Sequence, residues 1–458
     1  MLDQLYRHNL TLLTDLYQLT MAAGYWHHEL HDRQAVFQLY FRKHPFGGHY
    51  TVAAGLALAI EYLEGLCFEV DDIQYLAGLG LFDESFLNYL QRFDFQCAID
   101  AVPEGSFVQA HQPLVRVRGP LLQCQLIESA LLNLLNFSTL IATKAHRVCA
   151  AAGSDAVLEF GLRRAQGIDG AVTAARAAYL GGCAATSNVL AGKLCGIPVR
   201  GTHAHSWVMV YGDEVAAFRA YAAAQPNNCI LLVDTFDTEQ GVRHAITVGK
   251  ELRQIGHSLN GIRLDSGDLV ALSQTARRLL DEAGFTTTKV VASDSLDEFR
   301  IAELKKKGAA IAVWGVGTRL VTGHDQPALG GVYKLTAIQN ADGVWEDRRK
   351  YSATPAKASI PGRHAVRRCT LNGRPVADVL YDLQEREPGE LVNKDGRRVV
   401  LPSYDRVEEL LVPIFREGKL VYERPSLRES RRHLAATPVP EPTWLWAMSE
   451  ALYERSTR

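Results

Sequence analysis

The sequence predicts an α/β protein whose centre is a closed or nearly closed parallel barrel, with a second α+β domain built from the N-terminal and C-terminal segments. Three observations predict it. Short apolar runs alternate with helix-like stretches through the middle of the chain. Successive runs stand roughly 20 to 40 residues apart, the length of a βα unit with a right-handed crossover. The rhythm is missing from both ends of the chain. Six or more such units favour closure, and an open doubly wound sheet is the alternative. The expected domains are 1–125, joined in space by about 345–458, and a barrel over 126–344.

The elements follow in order. LLTDLYQLTMAAGYW (12–26) has apolar residues at helical spacing, with Thr11 or Thr14 and Asp15 near its start. AVFQLYFRKHPFGGHY reads as a strand closed by a Pro-Phe-Gly-Gly turn. Leu56–Leu66 and Asp83–Phe93 are amphipathic and helical in pattern. Alternation between Val102 and Val117 suggests a small hairpin. The barrel strands are expected at Val157–Phe160, Ile197–Arg200, Ile230–Val233, Ile262–Leu264, Val290–Ala292 and Ile311–Trp314. Beyond them, 349–370 is basic and extended, VADVLYDL is strand-like and PTWLWAMSEALYER is helical.

Composition bounds the function. Among 458 residues, 47% are hydrophobic, enough for a substantial core, and 49 Lys+Arg against 51 Asp+Glu exclude a strongly basic nucleic-acid binder. The eight cysteines form no Cys-x-x-Cys pair, which argues against a zinc knuckle and for reduced thiols. Asp3 and Asp15 break the pattern of a signal peptide. The most apolar stretch, Pro120–Ala152, is interrupted by Gln123, Glu128, Lys144 and His146, too polar for the ~20 apolar residues of a membrane span. A cytoplasmic protein without membrane contact is expected.

In a βα barrel, function gathers where strands run out into loops. Those ends are EFGLRR (159–164), RGTHAHSW (200–207), LLVDTFDT (231–238), IRLDSGD (262–268), VVASDS (290–295) and WGVGT (314–318). Their arginines, Asp-Ser/Thr pairs and Gly-x-Gly-Thr turn suit a phosphorylated, polyhydroxylated substrate. Gly315-Val316-Gly317-Thr318 reads either as a phosphate cradle or as an ordinary strand-to-helix turn. Of Arg163 and Arg164, one should face the pocket. Asp268 is placed to cap the helix from Leu269, leaving Asp265 as the better ligand. His203 and His205 could form a metal pair, as in barrel hydrolases, but the other strand ends offer no histidine to complete it. The WHHELH cluster (26–31) reads as a solvated turn.

LLTDLYQLTMAAGYW, YFRKHPFGG (40–48), LEFGLRRAQGIDG (158–170), ATSNVLAGKLCGIPVRGTHAHSW (185–207), LLVDTFDT, GIRLDSGDL, WGVGTRLVT, ALGGVYKL (328–335) and PSLRESRR (425–432) closely resemble nicotinate phosphoribosyltransferase. The resemblance implies an irregular barrel of the type II phosphoribosyltransferase kind. It also implies transfer of phosphoribose from 5-phosphoribosyl 1-diphosphate to nicotinate, with Mg²⁺, ATP as co-substrate and a phosphohistidine, in NAD salvage. By the same resemblance His205 carries the phosphate and Asp234 orients its ring. Thr202 and Arg263 contact the pyridine ring and its carboxylate, Phe160 stacks on the ring, and Arg163 is an anion contact. Asp265 holds ribose hydroxyls or Mg²⁺, and Gly317, Thr318, Gly330 and Gly331 cradle phosphate. Tyr17 reaches the ring from a partner subunit, so a homodimer with shared sites is implied. Position 203 departs from the family, being His where Met is commoner, and the short tail lacks the Cys cluster of some relatives. Alternatives are nicotinamide phosphoribosyltransferase, a metal-dependent barrel hydrolase using His203 and His205, and a catalytically silent nucleotide-binding protein.

Overall fold

The computed structural model describes residues 9–351, 358–385 and 387–457, and the chain divides into two compact units. In chain order, the strands of the first 120 residues are β1 (Gln34–Phe41), β2 (Thr51–Val52), β3 (Ala98–Ala101), β4 (Phe107–Val108) and β5 (Val115–Pro120). Then come β6 (Ala156–Glu159), β7 (Ala185–Thr186), β8 (Ile230–Leu232), β9 (Gly261–Leu264), β10 (Lys289–Ala292) and β11 (Val313–Val316). The last group is β12 (Gly331–Gln339), β13 (Trp345–Asp347), β14 (His364–Leu371), β15 (Arg374–Asp382), β16 (Leu391–Val392), β17 (Arg398–Val399), β18 (Arg406–Glu409), β19 (Val412–Arg416), β20 (Lys419–Leu420) and β21 (Leu445–Ser449).

The first unit joins the residues up to Leu140 with those from Ala328 onward. Its seven-stranded sheet has the order β13-β12-β1-β5-β3-β19-β20, so strands from both ends of the chain alternate in one ladder. A buried face built from residues such as Phe37, Leu39, Ile99, Val117, Ile338 and Phe415 holds it together. The first helix spans Leu16–His27, started by a capping box between Asp15 and Gln18. Leu56–Glu64 and Glu84–Gln91 are helical as the periodicity predicts, the second capped by Asp83. The C-terminal pattern is partly misread by periodicity. Leu445–Ser449 is a strand between β16 and β15, and only Glu450–Thr457 is helical. A strand covered on both faces shows no polar alternation, so its apolar run looks helical. The 26–31 cluster is also not a purely solvated turn. Trp26 packs on His31 and Tyr89, each at 4.6 Å between ring centroids. Of the basic segment 349–370, residues 352–357 lie outside the described residues.

The second unit, Ile141–Pro327, is the α/β barrel. It begins later and ends earlier than 126–344, because β12 pairs with β1 in the first unit and the helix Glu128–Ala152 runs across the division. All its strand pairs are parallel, in the order β7-β6-β11-β10-β9-β8. This order is cyclic: the first strand, β6, lies beside the last, β11. A doubly wound sheet would instead reverse direction at a switch point. The Ile197–Arg200 run supplies a single parallel bridge, Val199 to Thr186, and β7 is the strand that the apolar runs did not reveal.

Short polar side chains start the crossover helices. Asn188, Asp213, Asp237, Asp268 and Asp297 each accept a backbone N–H in the first turn of the helix that follows. Within the barrel unit, Lys144 is 1% exposed at its side chain and pairs with Glu298 at 2.6 Å, while Arg147 reaches the same carboxylate at 3.0 Å. Removing Lys144 leaves the buried Glu298 carboxylate with Arg147 on its other oxygen. Lys144→Ala is therefore expected to lower unfolding stability by about 3 kcal/mol, measurable by urea titration; a change within error would show that Glu298 is satisfied without it. Among the described residues no helix is long and apolar enough to cross a membrane.

Candidate active site

The ends of the barrel strands converge on a polar cleft of about 220 Å³ lined by Phe160, Arg163, Arg263, Asp265, Ser293 and Thr318, among others. Arg263 points in from within β9 and Arg163 from the turn Leu162–Arg164, while the others lie on the first residues past a buried strand. Phe160 follows β6, Asp265 follows β9, Ser293 follows β10, and Gly317 and Thr318 follow β11.

Arg263 is the hub. Its Nε donates to Ser293 Oγ at 2.6 Å, one Nη to Thr202 Oγ1 at 3.1 Å and the other to Asp265 Oδ1 at 2.8 Å. Ser293 Oγ also donates to Asp265 Oδ1 at 2.5 Å. A guanidinium has five N–H donors, so three such bonds leave two for a ligand. The guanidinium carbon lies 5.8 Å from the centre of the Phe160 ring, which places a cation and an aromatic face on the same cleft. Phe160 itself leans on Gly315, where an added Cβ would stand 2.8 Å from the ring.

His205 opens the helix His205–Tyr211. Its Nδ1 pairs with Thr235 Oγ1 at 3.1 Å, and Nε2 stands 3.7 Å from Asp265 Oδ2. The expected partner, Asp234, does not take the ring in this structure. Its Oδ2 accepts the Asp265 N–H at 2.7 Å and the Ser266 hydroxyl at 2.9 Å, which turns the carboxylate toward the β9 loop. Its Oδ1 is buried with no hydrogen-bond partner among the described residues. At the β6 end, buried Glu159 accepts the Gly161 N–H and the Thr186 hydroxyl, and burial raises its pKa above the ordinary carboxylate value.

Of the residues predicted from sequence, Phe160, Arg163, Thr202, His205, Asp234, Arg263, Asp265, Gly317 and Thr318 belong to the barrel unit, whereas Tyr17, Gly330 and Gly331 belong to the first unit. Arg163 and Arg164 both line the cleft, where one was expected. Gly331 packs directly on the Asn136 side chain, which would have to shift to admit a Cβ. Tyr17 is 47% exposed on the first helix, and its pKa is raised by partial burial and by Glu128. Sequence reasoning included Thr235, Ser293, Asp294 and Ser295 in the strand ends LLVDTFDT and VVASDS but singled none of them out for a role. Ser295 holds φ 46°, an uncommon left-handed conformation for a non-glycine residue, on the cleft wall.

His203 is no metal-pair partner in this arrangement. It is 7% exposed, and its two ring nitrogens face Ala204 O and the Leu232 N–H. Among the described residues no group of three or more His, Cys, Asp or Glu is arranged to hold a metal ion.

Three family models match the chain: the nicotinate phosphoribosyltransferase N-terminal domain over 12–136, the nicotinate phosphoribosyltransferase family over 156–380, and the nicotinate phosphoribosyltransferase C-terminal domain over 363–437. The chain is 45% identical over 438 residues to the nicotinate phosphoribosyltransferase of Bacillus subtilis, covering 93% of this chain and 88% of that protein. The crystal structure of human nicotinic acid phosphoribosyltransferase superposes with a TM-score of 0.83 at 31% identity, covering 97% of this chain and 99% of that one. A nicotinate-nucleotide pyrophosphorylase structure from Pyrococcus furiosus, with a TM-score of 0.71 at 22% identity, shares the fold.

Proposed function

Since the chain belongs to the nicotinate phosphoribosyltransferase family, we propose that its barrel cleft joins nicotinate to C1 of 5-phosphoribosyl 1-diphosphate, and that ATP drives the step through a phosphate carried on His205. The transfer to nicotinate is the family's activity and a step of NAD salvage. The ATP coupling and the phosphohistidine belong to the proposal.

The observation that carries it is the Arg263 hub beside Phe160 and His205. The pyridine nitrogen attacks C1 of the ribose as the C1–O bond to diphosphate breaks, so positive charge builds on the sugar and negative charge leaves. Such a reaction needs anion clamps and fixed orientation more than a strong base. Phe160 offers a face for the pyridine ring, and Arg263 with Thr202 offers donors to its carboxylate. Arg163, Gly317 and Thr318 supply charge and N–H or O–H groups for phosphate. Asp265, with one oxygen held by Arg263 and Ser293, has the other for ribose hydroxyls or for Mg²⁺. Hard carboxylate oxygens such as those of Asp265 and Asp294 suit Mg²⁺, which when bound neutralises charge on the departing diphosphate.

His205 takes the γ-phosphoryl group of ATP as the P–O bond to ADP breaks. Imidazole is nucleophilic near neutral pH. Thr235 and Asp265 flank opposite nitrogens, so whichever one is phosphorylated, the other keeps an oxygen partner for the charged ring. Asp234 acts by holding the β9 loop that carries Asp265. A homodimer in which Tyr17 reaches the partner's pyridine site belongs to the same proposal.

The test is product formation from 5-phosphoribosyl 1-diphosphate and Mg²⁺, comparing nicotinate with nicotinamide, each with and without ATP. Faster nicotinate mononucleotide formation with ATP is the expected result. Equal rates without ATP would remove the coupling, and turnover of nicotinamide alone would move the chain to the amide-using reaction. The cleft also makes a smaller prediction. Gly315→Ala forces Phe160 aside and should raise the KM for nicotinate about tenfold, the size of a ~1–2 kcal/mol overpacking cost. An unchanged KM would place the pyridine ring elsewhere.

A further inference from the structure

The barrel's backbone ladder has one interruption. From β8 it runs through β9, β10, β11 and β6 to β7, and it extends one step further through the 198–200 segment. There Thr186 N–H donates to Pro198 O and Arg200 N–H to Thr186 O, both at 3.0 Å. The same segment runs on to Thr202, His203 and His205. On the other side of the gap, β8 pairs only with β9, to which Val233 N–H donates through Arg263 O at 3.2 Å. The alternate amide, Leu232 N–H, points away from β9 toward the open edge, where the acceptor is His203 Nε2 at 3.1 Å.

We propose that His203 is a positioning residue of this active site: its imidazole stands in for the missing strand neighbour of β8, closing the barrel seam and fixing the segment that carries Thr202 and His205. A single neutral tautomer meets both ring contacts, with Nδ1–H donating to Ala204 O at 3.3 Å and Nε2 accepting from Leu232. The ring is clamped by Tyr221, whose ring meets it edge-on at 4.7 Å, and by Phe218 at 6.1 Å, both on the helix Glu214–Ala224. One residue earlier, Thr202 bonds Arg263; two residues later, His205 bonds Thr235. The latch therefore sits between two working contacts of the cleft.

The neutral ring is essential, because a protonated Nε2 would present a donor to the Leu232 donor. Burial lowers the His203 pKa, the Ala204 carbonyl opposes it, and the Arg263 and His205 charges lower it further. Tyr221 is the other titratable group packed on it, and burial raises its pKa. For a folded pKa below the ordinary histidine value, the latch is intact above that value and is lost as pH falls through the folded one.

The test compares His203→Gln, which returns an oxygen acceptor near the Nε2 position, with His203→Leu, which fills the space without one. It reads amide exchange at Leu232 and steady-state kinetics with nicotinate and 5-phosphoribosyl 1-diphosphate. The Leu variant should expose Leu232 N–H to exchange and lose about tenfold in kcat/KM for nicotinate, a factor of ~1.4 kcal/mol. The Gln variant should restore both, and should lack the acid limb of the wild-type pH profile. Wild-type exchange and kinetics in the Leu variant would overturn the proposal, as would equal impairment of both variants. Because the inference rests on the nicotinate reading, the two failures must be separable: absence of product from wild-type protein refutes that reading, whereas Leu232 exchange judges the latch alone.

Discussion

Arg263→Ala is expected to lower kcat/KM for nicotinate by about three orders of magnitude, because truncating one partner of a hydrogen-bonded charge pair costs ~2–5 kcal/mol. The size follows from what the guanidinium holds. Without it, Thr202 loses a donor, Ser293 loses one of its two partners, and Asp265 keeps only the Ser293 hydroxyl on Oδ1. The effect on the phosphoribosyl donor should be smaller, since Asp265 stays anchored by that hydroxyl and its loop by Asp234. Arg263→Lys should not rescue, because a single ammonium cannot serve three partners lying in different directions. Steady-state kinetics against each substrate, with thermal unfolding as a control, checks this. Wild-type kinetics in the Lys variant would reduce Arg263 to a point charge, and equal losses for both substrates would take it off the pyridine carboxylate.

His205→Ala should abolish labelling from γ-labelled ATP and with it the whole ATP-dependent part of the rate. The fold should survive, since the side chain is 39% exposed and its described hydrogen bond is to Thr235. The clearest reading comes from doing both measurements on one preparation. Loss of label with retention of a slow ATP-independent rate would separate energy coupling from transfer chemistry. Label persisting at the wild-type level would remove His205 from the role and move the search to another nucleophile at the strand mouths.

Much of this was legible because β strands buried on both faces leave continuous apolar runs. Ile230–Val233, Ile262–Leu264 and Val290–Ala292 each mark a barrel strand to within a residue or two, and the strand ends then point to the cleft. The same rule fails where a strand is too short to leave a run, as with Ala185–Thr186, or where buried aromatics imitate a helix, as in Leu445–Ser449. At the site, charged residues such as Arg263 and Asp265 stood out, whereas Thr235 and Ser293 did not. Hydroxyls occur in every loop, and only the fold shows that these two lie within hydrogen-bonding distance of His205 and Arg263. The resemblance gives Asp234 the ring of His205, and only the fold shows that its carboxylate takes the Asp265 N–H and the Ser266 hydroxyl of the β9 loop.

The sheet of the first unit carries a consequence for how the protein is made. β3 lies between β5 and β19, neighbours in the ladder whose sequences are separated by the entire barrel. On the ribosome the barrel strands can pair with near neighbours as they emerge, but one edge of β3 stays bare until residues 412–416 have been synthesised. An unpaired edge is a template for intermolecular pairing. The nascent chain thus carries this bare edge through synthesis of the whole barrel unit and until β19 follows it.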